Sequence, residues 1–262
     1  MPRISVLMGI YNCAPTLQEA LDSLYAQTFQ DFKIILCDDG SKDDTLAIAE
    51  RNAKEHPGKV VVIKNDKNMG LNYTLNHCLE YADTEYCARM DGDDISLPER
   101  FEKELQFLDQ HPEYAVVSAP MIYFDEFGDF RKGNGNGEVK ARDFVHGTPI
   151  CHAPSMSRTS VLKAVRGYSV SKKLLRVEDY HLWFKVYATG YDLYMLDECL
   201  YKMRDDRNAI ARRNWLTRRN EAYVKHIGYK MIGLPWWYQI YAIVPILKYF
   251  APKWLYSLFH RN

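Results

Sequence analysis

Short apolar runs alternate with helical patterns four times in roughly the first 110 residues, and this alternation constrains the fold more than any other feature. Each run has the length of a strand, and the segments between them place apolar residues at helical spacing. The predicted strands are Ile4–Ile10, Lys33–Cys37, Val60–Ile63 and Tyr86–Met90. Strands that alternate with helices form parallel sheets covered on both faces. The sequence therefore predicts an α/β fold with a mainly parallel sheet.

Polar residues gather at the carboxyl ends of three of these predicted strands. The clusters are Tyr11-Asn12, Asp38-Asp39-Gly40-Ser41 and Asp91-Gly92-Asp93-Asp94. Open parallel sheets bind their ligands beyond the carboxyl ends of the strands. Because these ends lie at one edge of the sheet, we expect the three clusters to form a single site.

The third cluster places three carboxylates within four residues, and like charges this close repel one another. A cation is therefore expected to hold them together. Mg²⁺ and Mn²⁺ prefer oxygen ligands, so Asp91 and Asp93 are candidate metal ligands, with Gly92 allowing a ligand to approach closely. The alternative is a solvated acidic turn before a helix N-terminus, where Asp is common.

Five segments resemble, in their order and spacing, the inverting family 2 glycosyltransferases of the GT-A fold. They are ISVLMGIYN, ILCDDGSKDDT, NMGLNYTLNHCL, ARMDGDDISLPERF and RVEDYHLWFKV. The resemblance implies a Rossmann-like, mainly parallel sheet with helices on both faces. It also implies a GT-A catalytic domain at 1–210, with a nucleotide-sugar half at 1–120 and an acceptor half at 121–210, followed by a C-terminal helical amphipathic extension at 211–262.

The resemblance implies that the first two clusters bind the nucleotide of a UDP-sugar. Tyr11 is expected to lie against the base, with Asn12 beside it. Asp38 or Asp39 is expected to accept hydrogen bonds from uracil or ribose, since N3–H of uracil is a donor. For this pair of acids a helix-capping turn is the alternative.

In the acidic cluster the resemblance assigns Asp93 to Mn²⁺ or Mg²⁺, which bridges the two phosphates of the donor. Asp91 contacts either the ribose or the metal. Asp94 orients the loop or contacts the sugar. The ion then neutralises the charge that develops on the departing UDP.

By the same resemblance, Asp179 is the base that takes the proton of the acceptor hydroxyl, and Glu178 orients donor or acceptor hydroxyls. A carboxylate at this place also stabilises a transition state that resembles an oxocarbenium ion. The alternative for this pair is an ordinary acidic helix start. His152 falls on the acceptor side of the family pattern, although a lone histidine is more often structural.

The segment Tyr201–Asn208 falls where many family members place an arginine and then a histidine near the diphosphate. Arg204 matches the arginine and is expected at the nucleotide. Asp206 replaces the histidine and is expected to offer an oxygen ligand to the metal. Arg207 is expected to supply a second contact to the substrate phosphates. A basic surface loop is the alternative for the whole segment.

A formal net charge of zero conceals an acidic body and a basic tail, because 12 Lys and Arg but only three Asp and Glu follow Tyr201. Met231–Leu247 contains no charged residue, but it is too short and too interrupted by proline to span a membrane. Aromatic and basic residues together favour the lipid–water interface. The alternative is packing onto the catalytic body or a partner. Nucleic acid is not an expected partner, because the basic excess is confined to this apolar, aromatic tail.

Six scattered cysteines without a CxxC pair favour buried thiols in a reducing compartment. Together these features predict a cytoplasmic enzyme attached peripherally to the inner face of the membrane. It would transfer a hexosyl or N-acetylhexosaminyl group, with inversion and metal assistance, from a UDP-sugar to a saccharide acceptor linked to polyprenyl diphosphate. Capsule, O-antigen and lipopolysaccharide assembly are the expected settings, and a homo-oligomer is left open.

The sequence leaves two alternatives to this function. A sugar nucleotidyltransferase has a similar nucleotide-binding sheet, but its Gly-rich GxGTR-like signature is not supplied by Gly9-Ile10-Tyr11-Asn12. An inactive, transferase-like subunit of a membrane assembly complex is the second alternative. The presence of all three predicted site acids argues against an inactive subunit. They are Asp39, Asp93 and Asp179.

Overall fold

The computed structural model describes residues 2–205 and 214–250. The strands are β1 (Ile4–Ile10), β2 (Phe32–Asp38), β3 (Val60–Lys64), β4 (Tyr86–Arg89), β5 (Ile95–Ser96), β6 (Tyr114–Ser118), β7 (Met121–Asp125), β8 (Gly128–Lys132), β9 (Gly137–Glu138), β10 (Met156–Arg158), β11 (Asp192–Met195) and β12 (Tyr201–Arg204). The α-helices are α1 (Ala14–Tyr25), α2 (Thr45–Glu55), α3 (Leu71–Glu80), α4 (Arg100–Gln110), α5 (Thr159–Ala164), α6 (Glu178–Tyr187), α7 (Trp215–Met231) and α8 (Val244–Phe250). Two 3-10 helices span Ala141–Val145 and Trp236–Ala242.

The larger of two sheets has eight strands in the order β3-β2-β1-β4-β10-β6-β11-β9. Strand β1 runs parallel to β2 and to β4, and β2 runs parallel to β3. Strand β10 enters between β4 and β6 and is antiparallel to both. The predicted mainly parallel sheet is confirmed, and the carboxyl ends of β2, β1 and β4 are neighbours at one edge.

Helices cover both faces of this sheet. Successive side chains of a strand point to opposite faces, so each strand contributes to the core on both sides. Val6 and Met8 of β1 belong to the same buried cluster as Leu21 of α1. Leu7, between them in sequence, belongs to a second cluster with Leu75 of α3. Helices α1, α2 and α4 contribute to the first cluster, and α3, α5, α6 and α7 to the second. The apolar runs of the sequence are therefore strands buried on both sides.

A second sheet of four strands has the order β5-β12-β7-β8. Strand β12 is antiparallel to β5 and parallel to β7. Strand β8 pairs with β7 in an antiparallel hairpin. Since β5 begins directly after Asp94 and β12 ends at Arg204, this sheet brings Arg204 to the acidic cluster.

Helix α7 packs into the core of the catalytic body. Val224 and Tyr229 are fully buried in the second cluster. A Cβ atom at Gly228 would lie 2.3 Å from the ring of Phe184, so the close contact of α7 with α6 requires glycine at this position. The Nζ of Lys225 donates to a carbonyl oxygen of the first 3-10 helix at 3.1 Å. The first half of the predicted extension is therefore continuous with the core.

The six cysteines are unpaired thiols, and four of them are buried. Within residues 2–205 and 214–250, no helix combines the length and the apolar character needed to cross a membrane.

Candidate functional site

The loops after β1 and β2 are joined by hydrogen bonds. The backbone N–H of Asn12 donates to Oγ of Ser41 at 3.1 Å, and Oδ1 of Asn12 accepts from the backbone N–H of Lys42 at 2.8 Å. Asn12 has φ of 48°, in the left-handed region that asparagine tolerates better than most residues. Asp38 accepts from the N–H of Ser41 at 3.2 Å. These two clusters therefore form one connected wall.

Asp39 anchors the loop that leads into α3. Its Oδ1 accepts from Nδ2 of Asn65 and from the backbone N–H of Met69, both at 2.8 Å. Its Oδ2 accepts from the N–H of Gly70 at 2.9 Å. Neither Asp39 nor Asp38 caps α2, whose N-cap residue is Asp44. The helix-capping alternative for these two acids is therefore wrong.

A cleft of about 310 Å³ opens between these loops and the start of α6. Tyr11 and Asp39 line it on one side, and Arg176 and Glu178 line it on the other. The other lining residues are Gly9, Ile10, Asn68, Gly70, Leu71, Asn72, Thr74 and Leu175. Its volume falls at the lower end of the range for small-molecule sites. Sequence reasoning therefore identified residues on both sides of this cleft.

Arg176 is a residue of the cleft that the sequence did not reveal. Its φ of 70° lies in the left-handed region, which costs a bulky residue energy, and residues strained in this way cluster at functional sites. The preceding turn is held by Asn220 of α7, whose Nδ2 donates to the carbonyls of Lys172 and Leu175 at 3.1 and 3.0 Å. The only sequence signal for Arg176 is its place two residues before Glu178.

The acidic cluster follows β4 and offers the ligands of a metal site. One carboxylate oxygen from each of Asp91, Asp93 and Asp94 lies within 4.8 Å of the others. Gly92 packs so closely that a Cβ atom there would lie 2.8 Å from Sγ of Cys13, so glycine is required. Three hard oxygen donors at this spacing fit Mn²⁺ or Mg²⁺.

Asp94 is the buried member of the cluster. Its Oδ1 accepts from the backbone N–H of Arg204 at 2.8 Å. Its buried Oδ2 has no hydrogen-bond partner in the described part of the chain, although buried polar atoms nearly always have one. A ligand would supply such a partner. Burial and then the charges of Asp91 and Asp93 raise the pKa of Asp94 to about 8.

Arg204, the last residue of β12 in the second sheet, contacts the acidic cluster. Its Nε donates to the carbonyl oxygen of Asp93 at 3.0 Å, and its guanidinium pairs with Glu19 of α1 at 2.5 Å. The structure thus places Arg204 beside the acids, and its contact with the nucleotide stays a prediction. Asp206 and Arg207, predicted to contact metal and phosphate, lie outside the described residues.

Arg89 is a second cation beside these carboxylates, and the sequence predicts it only as part of an apolar strand. It is the last residue of β4, its side chain is buried, and Nη1 pairs with Oδ2 of Asp91. The sequence predicted a cation beside the three clustered acids, and Arg89 is such a cation supplied by the chain itself.

Glu178 and Asp179 begin α6. Burial and then the charge of Glu178 raise the pKa of Asp179 to about 6. A carboxylate with this pKa is ionised at neutral pH and is a stronger base than an ordinary aspartate. Glu178 lines the cleft, and its buried Oε2 has no hydrogen-bond partner in residues 2–205 and 214–250. The pair is thus suited to a proton transfer and to hydroxyl recognition.

His152 is half-buried in the segment that precedes β10. Its Nε2 and the hydroxyl of Tyr168 are 2.7 Å apart, and its ring meets Trp183 edge to face. Burial and then the charge of Arg89 keep the pKa of His152 well below its usual value, so the ring is neutral. These contacts suit an interior residue. The contact between His152 and an acceptor stays a prediction.

Residues 5–166 match the family model described as "Glycosyl transferase family 2". The chain is 37% identical over 261 residues to the putative glycosyltransferase EpsE of Bacillus subtilis, covering 100% of this chain and 94% of that protein. It is 32% identical over 238 residues to the amylovoran biosynthesis glycosyltransferase AmsE of Erwinia amylovora, covering 87% of each. These matches favour a glycosyltransferase over the nucleotidyltransferase considered above.

Among solved structures, TarS of S. aureus in complex with UDP superposes with a TM-score of 0.70 at 20% identity, covering 95% of this chain and 71% of that one. At this identity the likeness concerns the fold, and it confirms the predicted GT-A fold. The chain therefore belongs to glycosyl transferase family 2, and the protein is a glycosyltransferase.

Proposed function

We propose that this enzyme transfers one sugar, with inversion, from a UDP-sugar to a saccharide acceptor linked to polyprenyl diphosphate, in the biosynthesis of a bacterial surface polysaccharide. One observation carries the proposal: a single cleft has Tyr11 and Asp39 on one wall and Glu178 on the other, with Asp179 following directly. The UDP found in TarS and the polysaccharide named for AmsE support the choice of donor and pathway class.

The uridine occupies the wall formed by Tyr11 and Asp39. Tyr11 is 45% exposed, so its ring is available for a base to stack against. Among residues 2–205 and 214–250, Oδ2 of Asp39 accepts one hydrogen bond, from Gly70, and a carboxylate oxygen accepts two. Its second lone pair suits N3–H of uracil. Asn12 supports this wall through its bonds to the loop after β2, and Asp38 through its bond to Ser41 within that loop.

The acidic cluster holds the diphosphate end of the donor. Asp91, Asp93 and Asp94 would ligate Mn²⁺ or Mg²⁺, with Asp206 as a further candidate. When bound, such an ion acts as a Lewis acid that stabilises the negative charge of departing UDP. Arg204 adds a permanent positive charge at the same place, because its guanidinium is bound to the backbone of Asp93.

Asp179 accepts the proton of the acceptor hydroxyl. As this oxygen forms its bond to the anomeric carbon, the bond from that carbon to the UDP oxygen breaks on the opposite face, and the proton passes to the carboxylate. A single displacement of this kind inverts the anomeric configuration. Glu178 accepts hydrogen bonds from sugar hydroxyls through the oxygen that lacks a partner among the described residues.

An apolar face follows α7 and is proposed to contact the membrane. It consists of Trp236, Ile240, Ile243, Leu247 and Phe250, which are 52–80% exposed. Trp236 and Ile240 belong to the second 3-10 helix and Leu247 and Phe250 to α8, and Ile243 lies between the two helices. Burial of such side chains in the lipid interface is favourable, and a polyprenyl-linked acceptor is found at the same surface. The enzyme would thus be attached to the cytoplasmic face of the membrane.

A panel of UDP-sugars incubated with the protein and Mn²⁺ tests the proposed reaction. We expect slow release of UDP from one of them, its loss with a chelator, and faster release when a polyprenyl-diphosphate saccharide is added. Proton NMR of the product should show an inverted anomeric configuration. Release of nucleotide only from GDP- or dTDP-sugars would contradict the assigned donor, and a retained configuration would contradict the single displacement.

Replacing Trp236, Ile240 and Leu247 together with serine should weaken binding to vesicles that contain anionic lipid at least tenfold. Each buried apolar side chain contributes about 1.5–3 kcal/mol, so a tenfold loss is a conservative expectation. Phe127→Ser is the matched control, because Phe127 is 83% exposed on the turn between β7 and β8. Vesicle sedimentation measures the binding. If the triple variant sediments as the wild type does, the apolar face does not meet the membrane.

A further inference from the structure

Arg89 is a buried arginine that none of the roles above uses. Only 7% of the residue is exposed, and its backbone is fixed on both sides. Its N–H donates to the carbonyl of Ser155 at 2.9 Å, and its carbonyl accepts from Nη2 of Arg100 at 2.9 Å. A charge buried in this way is costly unless it is paired, so its partners indicate what it is for.

The guanidinium of Arg89 has one carboxylate partner and one unsatisfied donor. Nη1 pairs with Oδ2 of Asp91. Nε is buried and has no hydrogen-bond partner among residues 2–205 and 214–250. Buried polar atoms are nearly always satisfied, so an exception calls for a partner that arrives later or a rearrangement that provides one.

Arg89 acts electrostatically on both halves of the site. Its charge lowers the pKa of Asp94 and Asp93 in the cluster and also that of Asp179 at the start of α6, although burial is the larger influence on each. Its charge also acts on His152, Tyr168 and Tyr201. The charge of Arg89 therefore influences both the acidic cluster and the proposed base.

The ion pair and metal coordination oppose each other at Asp91. A guanidinium that pairs closely with Oδ2 of Asp91 draws on the negative charge of that carboxylate and repels a divalent cation beside it, so each weakens the other. Before any metal arrives, the guanidinium offsets the repulsion among the three carboxylates. Once a divalent ion supplies that charge, the pair with Arg89 is no longer required.

We propose that Arg89 is a built-in counter-cation that occupies Asp91 while the site is unloaded and is displaced from it by the divalent ion. This inference rests on the proposed metal-assisted function. It makes Arg89 a positioning residue that lowers the affinity for metal alone, so that metal binds well only together with the donor, whose phosphates add further ligands. Nη1, freed from Asp91, is then a hydrogen-bond donor available inside the site.

Calorimetry with Mn²⁺ alone, without nucleotide, tests this exchange on the full-length protein. Arg89→Met keeps the length of the side chain and removes its charge, and we expect it to bind Mn²⁺ at least tenfold more tightly than the wild type. Arg158→Met is the matched control, since Arg158 also lies in a strand of the same sheet but donates to the carbonyls of Tyr114 and Leu108. Its affinity for Mn²⁺ should equal that of the wild type.

A double variant shows whether Arg89 acts through Asp91. In the Asp91→Asn background the additional Arg89→Met change should no longer raise the Mn²⁺ affinity. An Arg89→Met protein that is folded and binds Mn²⁺ no more tightly than the wild type overturns the inference while leaving the proposed function intact. Absence of Mn²⁺ binding from both proteins, even with UDP present, would contradict the metal assignment as well.

A measurement on the wild type does not depend on how the variant folds. The Nε–H resonance of Arg89, assigned by its loss in Arg89→Lys, should shift when Mg²⁺ is added, because the ion pair with Asp91 breaks. The Nε–H resonance of Arg158 should stay in place. An Arg89 resonance that does not move at saturating Mg²⁺ shows that no exchange occurs.

Discussion

Asp93→Ala should abolish metal-dependent binding of the UDP-sugar. Asp93 is the exposed member of the acidic cluster, and its carboxylate lies within 4.8 Å of those of Asp91 and Asp94. Losing one of three protein ligands should lower the affinity for UDP in the presence of Mn²⁺ by roughly a hundredfold or more. Even the mutation of residues that only hydrogen-bond to metal ligands lowers metal affinity or activity about 10- to 100-fold. Titration calorimetry with UDP and Mn²⁺ gives the value.

The control for this variant is Asp31→Ala. Asp31 is an exposed aspartate just before β2, at the opposite edge of the sheet from the site. Its replacement should leave UDP binding unchanged. With a chelator in place of Mn²⁺, the wild type and Asp93→Ala should bind UDP equally weakly. If Asp93→Ala retains the wild-type affinity in Mn²⁺, Asp93 is not a ligand of the metal.

Asp179→Asn should bind the donor normally but lose transfer by about two to four orders of magnitude, the usual contribution of a positioned base. The amide has nearly the same shape as the carboxylate but cannot take the acceptor proton. Glu178→Gln should have a smaller effect on kcat and a larger one on KM, since Glu178 is assigned to hydroxyl recognition. Steady-state kinetics with a soluble acceptor analogue separates the two effects.

The pH profile provides an independent check of Asp179. Burial and the charge of Glu178 raise its pKa to about 6, and the base works only when ionised. The wild-type kcat/KM should therefore be low below pH 6, rise through that value and level off above it. The residual activity of Asp179→Asn should lack this rise. Turnover close to that of the wild type in Asp179→Asn would refute the assignment of the base.

The first half of the fold was predictable because its elements are defined by local patterns. Ile4–Ile10 was predicted as a strand, and β1 has the same bounds. The acids after β2 and β4 were identified because parallel neighbouring strands deliver their carboxyl ends to one edge. The resemblance to family 2 then supplied roles for these residues, and the pair that begins α6 was located in the same way.

Residues that act through distant contacts were not predictable. Arg89 stands within an apolar run, so the sequence reading assigned it to a buried strand without noticing that its charge had to meet Asp91. Arg176 gains its place in the cleft from a left-handed backbone that Asn220, on α7, helps to hold. No periodicity or motif connects residues that lie this far apart in sequence.

In the C-terminal region too, the composition of the sequence predicted one thing and tertiary packing decided another. Its apolar and basic composition predicted an extension with affinity for an interface. The structure divides it instead, with Tyr229 of α7 in the core and Trp236 beyond it 80% exposed. Composition alone could not make this division, because buried and exposed apolar helices contain similar residues.

The amino-acid sequence by itself determined the alternation of strands and helices, the edge of the sheet where the site lies, and the acids that line it. Hydrophobic periodicity and strand direction are local properties, and they suffice for these conclusions. Only the tertiary structure decided which cation neutralises the acidic cluster, which arginine enters the cleft, and how much of the C-terminal region belongs to the core. Each of these depends on side chains that meet across the fold, and their energies come from burial and pairing that the order of residues does not reveal.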